Sequence, residues 1–79
     1  MKVHKVEVDV EGKIYSIENS EKGTIEFRSR HMDTRSFSST GDPDKIARII
    51  HARIFGNQII GFDMEFMLLL SIVSMLMDG

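Results

Sequence analysis

The stretch that most restricts this chain is "MEFMLLLSIVSMLMDG". Between Phe66 and Met77 only Ser71 and Ser74 are not apolar. A membrane-spanning helix needs about 20 predominantly apolar residues. Here Asp63 and Glu65 stand just before the run, Asp78 follows it, and no Lys or Arg anchors the end. The run therefore predicts a helix packed into a globular domain, with no membrane association and a cytoplasmic location.

At about 100° per residue this helix divides into unequal faces. Asp63, Ser71, Ser74 and Asp78 share a narrow polar arc with Met67 inside it. Phe66, Leu69, Leu70, Val73, Leu76 and Met77 form one apolar flank; Met64, Leu68, Ile72 and Met75 form another. A surface helix needs an apolar stripe of roughly 100° or a little more, and the two flanks together exceed that. A sheet and a second helix can cover one flank and part of the other. Either packing within the chain hides the remainder, or Met64, Leu68, Ile72 and Met75 meet another chain. Small domains gain stability by oligomerising and two-fold dimers are the commonest arrangement, so a homodimer is the expectation, with a different protein partner as the variant. The methionines at 64, 67, 75 and 77 fit either an irregular core or an adaptable contact surface.

Upstream, Val6, Val8 and Val10 alternate with Glu7 and Asp9, the period of a half-buried strand. Glu11-Gly12 then offers a two-residue hairpin turn with Gly12 at positive φ. That register pairs Val10 with Lys13, Val8 with Tyr15 and Val6 with Ile17, and puts the apolar residues of both strands on one face. After "NSEKG", pairing Glu18 with Thr24 sets Ile17 against Ile25 and Tyr15 against Phe27. A fourth strand around Arg35–Ser39 carries Phe37. Phe37 reaches the face of Phe27 only through an odd loop, such as Met32–Asp33–Thr34, which pairs Ser29 with Phe37.

"STGDPDKIARIIHARIFG" marks a helix at both ends, with Asp42 as N-cap, Pro43 at the first position and Gly56 at the close. Ile46, Ile49, Ile50 and Ile54 form its stripe, and Arg53 interrupts it, placed to snorkel at a helix C-terminus where a cation is favoured. Asp63 is placed to cap the last helix, with Phe62 packing on Met67 as a staple. The predicted architecture is one α+β domain over 1–79: a four-stranded antiparallel β-meander with two C-terminal helices on one face. The inward positions are Val6, Val8, Val10, Tyr15, Ile17, Ile25, Phe27 and Phe37.

Catalytic signatures are lacking. The absence of cysteine removes disulfides, thiolate metal sites and cysteine nucleophiles. His4, His31 and His51 have no second ligand at a metal-like spacing. "SFSSTGD" contains no nucleophile elbow and reads as strand-exit and capping residues. "STGDPDK" is no phosphate loop, which needs two glycines before Lys-Ser/Thr. No enzyme activity, cofactor or metal is expected.

Residues 27–55 carry six Lys/Arg against three Asp. Arg28, Arg30, Arg35 and Arg48 form a candidate patch for an anion or an acidic partner. Four strands followed by a helix resembles, in element order alone, the single-stranded nucleic-acid binders of the Whirly kind. The predicted outward face nevertheless bears four carboxylates (Glu7, Asp9, Glu18 and Glu26) and no aromatic, whereas stacking platforms need aromatics and a basic groove. The reading is a small non-enzymatic protein-binding or regulatory module that self-associates through its last helix, of a kind suited to a bacterial, prophage or phage accessory role. A nucleic-acid module using the basic patch and a small-ligand-binding dimer are the alternatives.

Overall fold

The structure is a computed structural model and describes residues 4–56 and 64–78. Four strands, β1 (Lys5–Val10), β2 (Lys13–Asn19), β3 (Thr24–Ser29) and β4 (Met32–Ser38), are followed by two helices, α1 (Pro43–Phe55) and α2 (Met64–Met77). The strands form one antiparallel sheet in sequence order. The α+β meander with two C-terminal helices is thus the observed fold.

The β1–β2 register is the predicted one, with Val6 opposite Ile17, Val8 opposite Tyr15 and Val10 opposite Lys13. Its turn uses Glu11 at φ 53° and Gly12 at φ 85°. Both central residues at positive φ match the right-handed twist of the flanking strands. The Asp9 side chain accepts a 2.9 Å hydrogen bond from the Gly12 N–H.

The β2–β3 register differs from expectation by two residues: Ile17 faces Phe27, Asn19 faces Ile25 and Tyr15 faces Ser29. A shift of two preserves the faces, so the inward set survives. The reason lies in the turn, where the Ser20 N–H donates to the Thr24 carbonyl at 3.0 Å and Glu21 and Gly23 take positive φ.

The β3–β4 connection corrects the predicted odd loop. Ser29 pairs with Met32 across a two-residue turn, and the register then shifts so that Phe27 faces Arg35 and Ile25 faces Phe37. Asp33 and Thr34 together oppose Arg28, which is a β-bulge. Phe37 thus reaches the face of Phe27 without an odd loop, because the extra residue sits inside the strand and not in the turn.

α1 begins at Asp42, whose side chain accepts from the Asp44 N–H at 2.9 Å, has Pro43 in its first turn and ends at Gly56, φ 97°. Its buried face is Ile46, Ala47, Ile50 and His51, with Ile54 half-buried. Ile49, expected in the stripe, is 38% exposed. The helix is rolled toward Ala47 and His51, the side where His51 meets Phe66 of α2 edge-on at 6.3 Å. The predicted cap at Asp63 and the Phe62 staple lie outside the described residues.

α2 lies over β2 and β3, and α1 packs chiefly on α2. Tyr15, Ile17, Ile25 and Phe27 from the sheet meet Phe66, Leu69, Ile72, Val73 and Leu76 from α2 in a single core. The inward residues of the outer strands, Val6, Val8, Val10, Met32 and Phe37, are only half-buried. The helical layer is centred on the middle strands and leaves both margins partly open.

Candidate functional site

α2 is held on its inner side and bare on its outer side. Phe66, Leu69, Ile72, Val73 and Leu76 are buried, and Leu70 and Met77 are half-buried against the same core. Two further contacts fix its orientation. The Asn19 side chain donates to the Leu76 carbonyl at 2.9 Å. The Arg48 guanidinium lies 5.1 Å from the centroid of the Phe66 ring while its Nε donates to the Asp44 carboxylate at 2.7 Å.

The outer side carries Met64 (84% exposed), Leu68 (56%), Met67 (44%) and Met75 (44%), with Ser71 exposed among them. Of the four residues expected on this surface, Ile72 is therefore misplaced: it is 7% exposed and belongs to the core. On the helical wheel it is the member of its flank nearest Leu69 and Leu76, so the roll that seats those two draws Ile72 inward. Ser71 occupies the surface position that Ile72 leaves. Fully burying one such apolar side chain stabilises by about 1.5–3 kcal/mol, so covering Met64, Leu68 and Met75 offers a gain on the scale of the stability of a domain this small.

A groove of about 420 Å³ adjoins this surface, lined by the apolar Val8, Val10, Ile54, Phe55, Leu68 and Leu69 and by three acidic residues, Asp9, Glu11 and Glu65. Leu68 belongs to both features, and Phe55 is itself 42% exposed. The apolar surface of α2 thus continues toward the β1 margin of the sheet.

The four arginines do not form one patch. Arg28, opposite Ser16, is on the outer face of the sheet and ion-pairs with Glu26. The hydrogen bond that Arg28 donates to Glu26, then the charge of Glu26, then the charge of Glu18 hold the Arg28 guanidinium even further toward its protonated form than usual. Arg30 joins Arg28 and His31 around an open basin of about 860 Å³ on the outer face, with Glu7, Ile14 and Ser16 on its floor and walls. Arg35 faces the other way, opposite Phe27, with its guanidinium 6.0 Å from the Phe37 ring centroid. Arg48 is on α1, engaged with Asp44 and Phe66. Only Arg28 and Arg30 share a site, and Glu26 neutralises part of it. The aromatic side chains carried by the strands, Tyr15, Phe27 and Phe37, all point toward the helical layer, so among the described residues the strands present no Phe, Tyr or Trp ring to the outer face, where a stacking platform needs several.

The histidines are scattered. The His4 carbonyl accepts from the Asn19 N–H at one end of the sheet, and His31 lies in the β3–β4 turn at the opposite end. His51 is buried, 4.8 Å from the Phe55 ring and 6.3 Å from the Phe66 ring, centroid to centroid. Sequence reasoning missed it as an interhelical residue. The signal was present, because Ala47, Ile50, His51 and Ile54 share a helical face, but the isoleucines alone drew a stripe that included Ile49. Ser38 and Thr40 hydrogen-bond each other at 2.9 Å and shape the strand exit. Among the described residues, no three His, Asp or Glu side chains are grouped to hold a metal ion, and no helix is long and apolar enough to cross a membrane.

No family model, curated protein or solved structure matches the chain.

Proposed function

We propose that this protein is a non-catalytic binding module, regulatory rather than enzymatic in action, that operates as a homodimer joined through the outer side of α2. One observation carries the reading: Met64, Leu68 and Met75 stand exposed on a helix whose opposite side is already committed to the core. Scattered single apolar residues are normal on a surface, whereas large apolar side chains gathered along one side of a helix, here interrupted only by Ser71, mark an interaction site. A second copy is the partner every molecule of this protein has available, and a domain of this size gains most from one.

Sedimentation equilibrium across micromolar concentrations tests the reading. The native chain is expected to sediment as a dimer, and Leu68→Glu and Met75→Glu as monomers with unchanged far-UV circular dichroism. A native chain that remains monomeric throughout the concentration range ends the proposal.

A further inference from the structure

Resting on that dimer, we infer that the two α2 helices pair antiparallel about a two-fold axis, with Leu68 of each chain against Ser71 of the other and Met64 of each against Met75 of the other. The exposed positions Met64, Leu68, Ser71, Met75 and Asp78 recur at steps of four, three, four and three residues. That is the seam of a helix that packs on another helix at a shallow angle, about 20°. Neither a three-residue nor a four-residue row alone gives this alternation, and on α2 it falls on the solvent side.

Charge chooses between the two ways of joining such seams. A parallel pair sets like against like at every layer, so the last layer holds Asp78 against its own copy with no cation in that helix to offset it; the acidic residue of its first turn is Glu65, and its last turn has no basic residue. It also aligns the two helix dipoles side by side. An antiparallel pair opposes the two dipoles and separates the two Asp78 carboxylates. Each Asp78 then lies near the amino end of the other α2, where first-turn N–H groups favour an anion and Glu65 stands about 100° round the helix from the seam.

Size makes the same choice. In the antiparallel register the small Ser71 meets Leu68, so each central layer combines one large and one small side chain and the helices can close together. The outer layers pair Met64 with Met75, two flexible side chains suited to filling an irregular gap. In the parallel register two serines meet in one layer and leave a void between flanking Leu68 and Met75 layers.

The chain has no cysteine, so single thiols report the geometry directly. Met64 and Met75 are both exposed, and replacing either leaves the core untouched. They are eleven residues apart, about 16 Å along the axis, so in the antiparallel pair neither position reaches its own copy. Met64→Cys and Met75→Cys chains are prepared separately, incubated alone or as an equimolar mixture, and mildly oxidised. The mixture is expected to yield a disulfide-linked species containing one chain of each kind, at least tenfold above either chain alone. Adding Leu68→Glu to both chains is expected to abolish it.

Efficient linkage of each variant to itself establishes a parallel pair and overturns this inference while leaving the dimer intact. No linkage in any combination, with a dimer still seen in sedimentation, places the contact elsewhere and overturns it too. A monomer in sedimentation instead fails the underlying reading, and the two failures are thereby told apart.

Discussion

The side-chain amide of Asn19 donates a 2.9 Å hydrogen bond to the backbone carbonyl of Leu76, 57 residues further along the chain. The carbonyls of a helix's last turn have no partner within the helix, so the end of β2 supplies one and pins α2 to the sheet. Asn19→Ala is expected to cost about 1–2 kcal/mol, the price of a part-buried hydrogen bond with its acceptor left unpaired. Asn19→Asp is expected to cost more at neutral pH, because a carboxylate cannot donate and faces the negative end of the helix dipole. Urea unfolding of the three chains measures both, and equal stability of Asn19→Asp and the native chain contradicts this role.

Leu68 and Ile72 are separated by one helical turn but belong to different surfaces, one 56% exposed and the other 7%. Leu68→Glu is expected to leave the protomer folded and to act on assembly. Ile72→Glu buries a charge without a partner and is expected to unfold the protomer or leave it insoluble. Circular dichroism and sedimentation on the two variants separate these outcomes. Identical behaviour, in either direction, is incompatible with the roll of α2 described above.

Glu11 adopts φ 53° in the β1–β2 turn, a conformation that costs an ordinary side chain roughly 1–2 kcal/mol and that Asn tolerates better. Glu11→Asn is therefore expected to raise stability by about 0.5–1 kcal/mol, read as a higher thermal midpoint. A lower midpoint shows that Glu11 makes a compensating contact.

Deleting Thr34 tests the bulge. With one of the two residues opposite Arg28 removed, β4 becomes a regular strand in which Phe37 still faces Ile25, and stability is expected to change by no more than about 1 kcal/mol. Urea unfolding of the deletion variant measures this, and a loss of several kcal/mol shows that the strand does not pair regularly from Met32 to Phe37 once Thr34 is gone.

Glu18 and Glu26 are directly opposite each other on the outer face, an unfavourable cross-strand pair that Arg28 relieves by ion-pairing with Glu26. Arg28→Ala is expected to lower the urea midpoint, and Glu26→Gln in the same chain to restore it. The raised pKa of Arg28 makes its contribution fully present below the unfolded value and lost only as pH rises through the still higher folded one. Its own titration thus leaves stability unchanged from acid to mildly alkaline pH. A destabilisation by Arg28→Ala that Glu26→Gln fails to rescue removes this explanation.

Periodicity accounts for what could be read in advance. Valines two apart, a Glu-Gly turn and Asp42-Pro43 before a helical pattern each have one cheap structural solution, and the chain adopts all three. The β2–β3 register was less determined, since a shift of two residues keeps every face and only the Ser20–Thr24 turn distinguishes the choices. Helix roll was beyond the pattern altogether. Whether Ile49 or His51, and Ser71 or Ile72, turns inward depends on how α1 and α2 meet across Phe66, a contact between segments that no local period records. The separation of Arg35 from Arg28 follows from the strand alternation; grouping arginines by their closeness in sequence overlooked it.

The doubled residues Asp33 and Thr34 have a last effect, on the free rim of the sheet. β4 is an outer strand, and the bulge breaks the regular row of amide and carbonyl groups that an incoming strand needs as a template. The other rim, along β1, keeps its regular spacing. Of the two rims, only Lys5–Val10 therefore offers an uninterrupted row of backbone groups to an incoming strand, and edge-to-edge pairing of two β4 strands is disfavoured.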